Sequence, residues 1–173
     1  MKRFGTFSSS AIAVAVLALT ALFAFPVPAE EQDESLERNN GWLVWYKDAL
    51  AQSKETGKPI LVNFTGSDWC PPCKALKNHV YSKDAFKAWA DENVILLELD
   101  YPRQKPQSDK MKQQNRQLAQ AYKIRGYPTA MVIDAEGKEL ERFVGHGGLD
   151  LEGWIERTQK VVDKHEPKEQ DPA

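Results

Sequence analysis

From Trp42 onward the apolar positions recur in two rhythms that alternate along the chain. Trp42, Trp45, Tyr46, Ala49 and Leu50 fall at helical spacing, which gathers them on one helix face. Asn39 and Asn40 just before them are residues that cap a helix start, and Gly57 followed by Lys58-Pro59 is a stop signal. Ile60-Leu61-Val62-Asn63-Phe64 is a short strand-type run, broken by Gly66-Ser67-Asp68. The pattern then predicts a helix from Cys70 to about Tyr81 with Cys73, Leu76 and Val80 inward. Ser82 is placed to cap a further helix carrying Phe86, Trp89 and Ala90, and Val94 to Leu99 reads as a second buried strand. Tyr101 to Gln114 is polar, with Pro102 and Pro106 and several lysines, and is expected to be an exposed loop entering a helix that ends near Tyr122. Gly126-Tyr127-Pro128-Thr129 is a turn before a third strand, Ala130 to Ile133. Ala135-Glu136-Gly137-Lys138 is a hairpin turn before a fourth, Glu139 to Val144. Leu151, Trp154, Ile155, Thr158, Val161 and Val162 form one face of a last helix.

Strands alternating with helices and closing on a hairpin imply an α/β fold, with a central mixed sheet of about four strands flanked by helices. The tryptophans Trp42, Trp45, Trp89 and Trp154 then fit as packing residues of that core.

The two ends read differently. Lys2 and Arg3 precede an uncharged apolar run, Ala11 to Phe25, and Val27-Pro28-Ala29 places small residues where a signal peptidase reads them. A run of about 15 residues reaches roughly 22 Å as a helix, against about 30 Å of bilayer hydrocarbon. Residues 1–29 are therefore expected to be a cleaved signal peptide, leaving no stable membrane span. Residues 30–40 follow as a flexible acidic leader, 41–164 as the folded domain and 165–173 as a charged tail. Such a chain is expected in the periplasm or outside the cell.

The 173 residues, 42% hydrophobic and 28% charged, suffice for one core. The formal charge of −2, with lysines and arginines interspersed among acids, excludes a general nucleic-acid binder, which needs a clustered basic excess. The lysine-rich stretch from Arg103 to Lys112 reads first as solvated surface, with a docking surface for a redox partner as the alternative.

Both cysteines of the chain stand in one run, Trp69-Cys70-Pro71-Pro72-Cys73-Lys74. An exported protein that uses disulfides as staples carries more cysteines at wider spacing. A bridge across two residues closes so short a loop that it stabilises little. Chemistry explains the pair better. The thiolate is the nucleophile in disulfide exchange, and a helix N-terminus, with its free N–H groups and positive dipole end, favours it. Cys70 stands at that start and is expected to be exposed, with Cys73 one turn further in. Pro71 and Pro72 form the linker, and proline suits the first helical positions because its missing N–H has no partner there. Trp69 flanks the pair as part of a substrate surface. Half of a zinc site is the rival reading. It requires two more ligands from His79, His146 and His165, and no metal is assigned. His146 reads as a loop histidine. Asn63-Phe64-Thr65 fits a glycosylation pattern but falls within a buried strand.

Val62-Asn63-Phe64 through Lys74, Leu97-Glu98-Leu99-Asp100, Ile124 through Thr129 and Asp134 through Lys138 resemble the thioredoxin superfamily in order and spacing. The likeness runs from about Trp42 to Val162. It extends to exported bacterial thioredoxin-like domains, similar to the C-terminal domain of the membrane electron transporter DsbD. The resemblance implies a thioredoxin-like fold and a thiol–disulfide oxidoreductase without a bound cofactor. It implies attack by Cys70 and resolution by Cys73. Pro128 would be cis and face the cysteines, with Tyr127 and Thr129 beside it aligning the substrate backbone. Protein disulfides would be the substrates, and a reductase outside the cytoplasm would need a membrane electron donor. Reductase or isomerase action is expected rather than oxidase action, with a thioredoxin-fold binding or chaperone-like module as the alternative.

Two positions depart from the family. Asn63 stands where thioredoxin has a buried acid, with one extra residue before the cysteines, and Leu96 stands where that acid's lysine partner belongs. Asp68, Lys74 or water are then the candidates to take the proton from Cys73, while Glu98 is read as facing away.

Overall fold

A computed structural model describes residues 38–145, 148 and 150–165. The expected signal peptide, most of the leader, His146 and the tail beyond His165 lie outside the described residues.

In chain order the elements are β1 (Arg38–Asn39), β2 (Trp42–Leu43), α1 (Tyr46–Thr56), β3 (Ile60–Thr65), α2 (Pro71–Leu76), α3 (Asp84–Asn93), β4 (Ile95–Asp100), α4 (Asp109–Ala121), β5 (Thr129–Ile133), β6 (Glu139–Val144) and α5 (Leu151–Val162). A π-helical turn, Lys77–Tyr81, continues α2. The sheet runs β1-β2-β4-β3-β5-β6. β3 lies parallel to β4 and antiparallel to β5, which pairs antiparallel with β6. The four expected strands are thus its larger part.

Its start corrects the sequence reading. Asn39 and Asn40 do not cap a helix, and Trp42 is not helical. Arg38 pairs with Leu43 and Asn39 with Trp42. The two residues between, Asn40 and Gly41, both have positive φ, 52° and 89°, the combination a two-residue hairpin turn requires. Arg38 to Asn40 therefore belong to the β1–β2 hairpin rather than to the leader. Trp45 holds the extended position before α1. Ser82 is not a cap either: Lys83 precedes α3 without a side-chain cap bond. α4 starts earlier than expected, where the Ser108 hydroxyl accepts the Met111 N–H at 3.2 Å.

Side chains alternate across the sheet as strand geometry demands. Leu61, Ala130, Val132 and Phe143 point to one face, where Leu76 and Val80, Phe86 and Ala90, and Trp154 cover them. Ile60, Val62, Phe64, Leu97, Leu99, Met131 and Ile133 point to the other, against Ala49 of α1 and Leu118 of α4. Trp42, Trp45 and Trp154 are buried and Trp89 packs against the core. This two-sided cover fixes the end of β3, and so the loop from which the cysteines start.

Candidate active site

Gly66 begins that loop. Its carbonyl accepts the N–H groups of Trp69 and Cys70 at 3.3 and 2.9 Å, folding the chain back before α2. A Cβ at residue 66 would lie 2.5 Å from the Trp69 ring, so only glycine lets the indole lie against this turn. The Trp69 Nε1–H donates to the Tyr101 carbonyl at 2.8 Å, and its ring meets Tyr127 edge-on with centroids 5.9 Å apart.

Cys70 is the N-cap of α2, with Pro71 and Pro72 as the first two helical residues. Its sulfur accepts the Cys73 N–H at 3.3 Å. The two cysteines are joined in a disulfide with Cα atoms 5.3 Å apart. Among the described residues no group of three or more His, Cys, Asp or Glu side chains is placed to hold a metal. The expected exposure of Cys70 is corrected. Cys70 is 2% and Cys73 4% exposed, because the Cys70 sulfur turns back over the first helical turn to reach its cap bond and its partner. Pro71 and Pro72 between them are exposed.

The Tyr127–Pro128 bond is cis, in the turn that leads into β5. Thr129 is buried, and its hydroxyl donates to the Gly126 carbonyl at 2.8 Å, so its side chain holds the turn. Gly145 N–H donates to the Pro128 carbonyl at 2.9 Å. Tyr127 lies between Trp69 and Tyr101, whose ring centroid is 4.9 Å from its own.

Below the couple, Asn63 shares the α2-facing side of β3 with Leu61. It is buried, and its Oδ1 has no hydrogen-bond partner among the described residues. Glu98 is opposite Asn63 in register, so it points to the same side of the sheet and not away. It is 8% exposed, and Asn39 Nδ2 donates to it at 2.8 Å. Burial pushes its carboxyl above the usual range, with nearby Lys77 opposing that rise.

Asp68 has a different task from proton transfer. Its carboxylate accepts the backbone N–H groups of Arg103, Gln104 and Lys105 at 3.1, 2.7 and 3.1 Å. Desolvation pushes the carboxyl up, but these donors together outweigh it and hold the group below its ordinary range, which makes a poor base. Lys74 Nζ donates to the Asp68 carbonyl at 2.7 Å. The sequence marked Asp68 and Lys74 only as proton-transfer candidates. The role of Asp68 as a tie between two loops depends on contacts more than 30 residues away along the chain, which no local pattern encodes, and Lys74 braces the near loop.

A family model described as a thioredoxin-like domain matches residues 46–153. The disulfide bond reductase DsbH of Chlamydia pneumoniae is 39% identical over 98 residues, covering 57% of this chain and 59% of DsbH. The thiol:disulfide interchange protein DsbD of Vibrio vulnificus is 26% identical over 170 residues, covering 92% of this chain but 27% of DsbD. The chain thus spans less than two thirds of DsbH and about a quarter of DsbD. A solved structure of a DsbH oxidoreductase superimposes with a TM-score of 0.65 at 30% identity, over 73% of this chain and 90% of that one.

Proposed function

The chain belongs to the thioredoxin-like family, and from that premise we propose that it is an exported thiol–disulfide oxidoreductase that reduces or isomerises protein disulfides. The observation that carries this reading is the disulfide itself. It closes on a helix N-cap, next to Trp69, whose ring meets that of Tyr127 before the cis proline, and a bridge there contributes little to stability and much to exchange chemistry. In each cycle the Cys70 thiolate attacks a substrate sulfur and expels the other substrate sulfur as a thiolate. Cys73 then attacks the Cys70 sulfur, the mixed bond breaks, and the substrate leaves with two thiols while Cys70 and Cys73 are left as the disulfide. Trp69, Tyr127 and the backbone beside Pro128 align the substrate. The name of DsbH, a disulfide bond reductase, supports the reductive direction. A membrane electron donor would restore the dithiol, because cytosolic reductants do not reach an oxidising compartment.

Two measurements test this. The reduced protein should turn over a disulfide-linked peptide when supplied with electrons, and Cys70→Ala should abolish that turnover. An inactive native protein with an intact dithiol would favour the binding-module reading, which the replacement of the buried acid by Asn63 also supports. Export is tested by intact mass: the mature chain should begin near Glu30, and retention of Met1 in a membrane fraction would contradict the leader cleavage. Among the described residues no helix is long and apolar enough to cross a membrane.

A further inference from the structure

We infer that the segment from Tyr101 to Gln107 is a substrate-selecting rim that directs the couple to disulfides flanked by acidic side chains. The inference rests on the disulfide-exchange reading above and adds to it the kind of substrate.

The rim is fastened to the cysteine loop. Three consecutive backbone N–H groups, of Arg103, Gln104 and Lys105, converge on the Asp68 carboxylate, an arrangement that fixes a loop backbone around an anion. Ser67 donates its N–H and hydroxyl to the two oxygens of Asp100 at 2.8 and 2.6 Å. Tyr101 N–H donates to the Thr65 carbonyl at 2.8 Å. The stretch Ser67-Asp68 thus joins the rim to the loop that carries Cys70.

What the rim displays is positive charge on neutral supports. The Arg103 guanidinium lies 3.8 Å over the Trp69 ring. Lys105 Nζ donates to the Ser67 hydroxyl at 3.0 Å, and Lys74 Nζ to the Asp68 carbonyl at 2.7 Å. All three residues are exposed. Some cations elsewhere, Lys87, Lys112, Arg142, Arg157 and Lys160, pair with carboxylates, and others, such as Lys58, do not. Among the described residues Lys74, Arg103 and Lys105 do not either. The two acids nearest them, Asp68 and Asp100, are turned to backbone and serine donors. In a chain of formal charge −2, an ordered cationic edge beside the couple complements an acidic peptide. Hydrophobic contact with Trp69 and Tyr127 remains for the residues next to the cysteine.

The test uses three disulfide-linked peptides that differ only in acidic, neutral or basic residues flanking the cysteine. At low salt the native protein should prefer the acidic peptide to the basic one by about tenfold in kcat/KM, the size expected of two or three exposed charge contacts. The ratio should collapse at about 1 M salt, where the screening length is about 3 Å. Arg103→Glu with Lys105→Glu should reverse the order. Lys138→Glu, in the turn at the far end of the β5–β6 hairpin, reverses one charge, half the change of the double variant, and should leave the ratio unaltered. Equal rates for acidic and basic peptides, or a preference that survives the double reversal, overturn the rim. Native protein that fails to turn over even the neutral peptide overturns the exchange reading, and the rim with it.

Discussion

Protein carrying Cys73→Ser will accumulate mixed disulfides through Cys70, and protein carrying Cys70→Ser will not. The asymmetry follows from the helix start. Cys70 is the N-cap, and the Cys73 N–H points at its sulfur from 3.3 Å, so a thiolate formed there keeps a backbone donor and the positive end of the helix dipole. Both cysteines are buried in the disulfide, so position along the helix, not exposure, separates them: Cys70 is the N-cap and Cys73 the third helical residue. It resolves the adduct from within. Removing that intramolecular nucleophile leaves only external thiols to break the mixed bond. Well-placed intramolecular groups reach effective molarities of about 10⁵ M or more, so the adduct lifetime should lengthen by at least about a thousandfold at millimolar external thiol. Non-reducing gels followed by mass spectrometry of the adducts read the outcome. Equal trapping by the two variants would sink the division of roles.

The parts of this site that the sequence disclosed are those where one residue type has one physical use. Pro71 and Pro72 tolerate few places other than a helix start, and the apolar run Ile60 to Phe64 fits only a strand covered on both faces. The β1–β2 hairpin was missed although its signal, Asn40-Gly41, is present. Strands of two residues carry no periodicity, and asparagine serves turns and helix caps by the same side-chain chemistry. The first turns of α4 were read as loop for a related reason. Met111 and Leu118 are widely spaced among polar residues, and the helix is anchored instead by Asn115, buried and donating to the Asp100 carbonyl at 2.8 Å. Glu98 was assigned to the wrong side of the sheet because its facing depends on register with Asn63, which a single strand does not reveal. The Asp68 nest and the Arg103–Trp69 stack are long-range contacts, and the lysine-rich stretch looked like ordinary solvated surface until those contacts fixed where it lies.

The potential of the couple should fall nearer the −270 mV of thioredoxin than the −120 mV of the strong oxidant DsbA, on the scale where those are about the values. A strongly oxidising pair is one whose reduced form is much stabilised, through a thiolate held by charge and several donors. Here Pro71 and Pro72 bring neither a charge nor an N–H toward Cys70, and the backbone donor that reaches its sulfur is that of Cys73. Lys74, the nearest cation in sequence, directs its ammonium to the Asp68 carbonyl. The Asp68 carboxyl, held below its ordinary range, offsets part of the positive charge that Arg103 and Lys105 bring to this edge, which limits the support they give a thiolate there. Asn63 acts in neither direction as a charge, since it is neutral in both redox states. The two reference potentials differ by about 150 mV, or about five orders of magnitude in the exchange constant at about 30 mV per decade, so the measurement separates them cleanly. Equilibration in glutathione buffers, with the free thiols alkylated and counted by mass, gives the value. A potential above about −150 mV, near the oxidising end of that scale, would reject the reductant direction and assign the protein to disulfide formation.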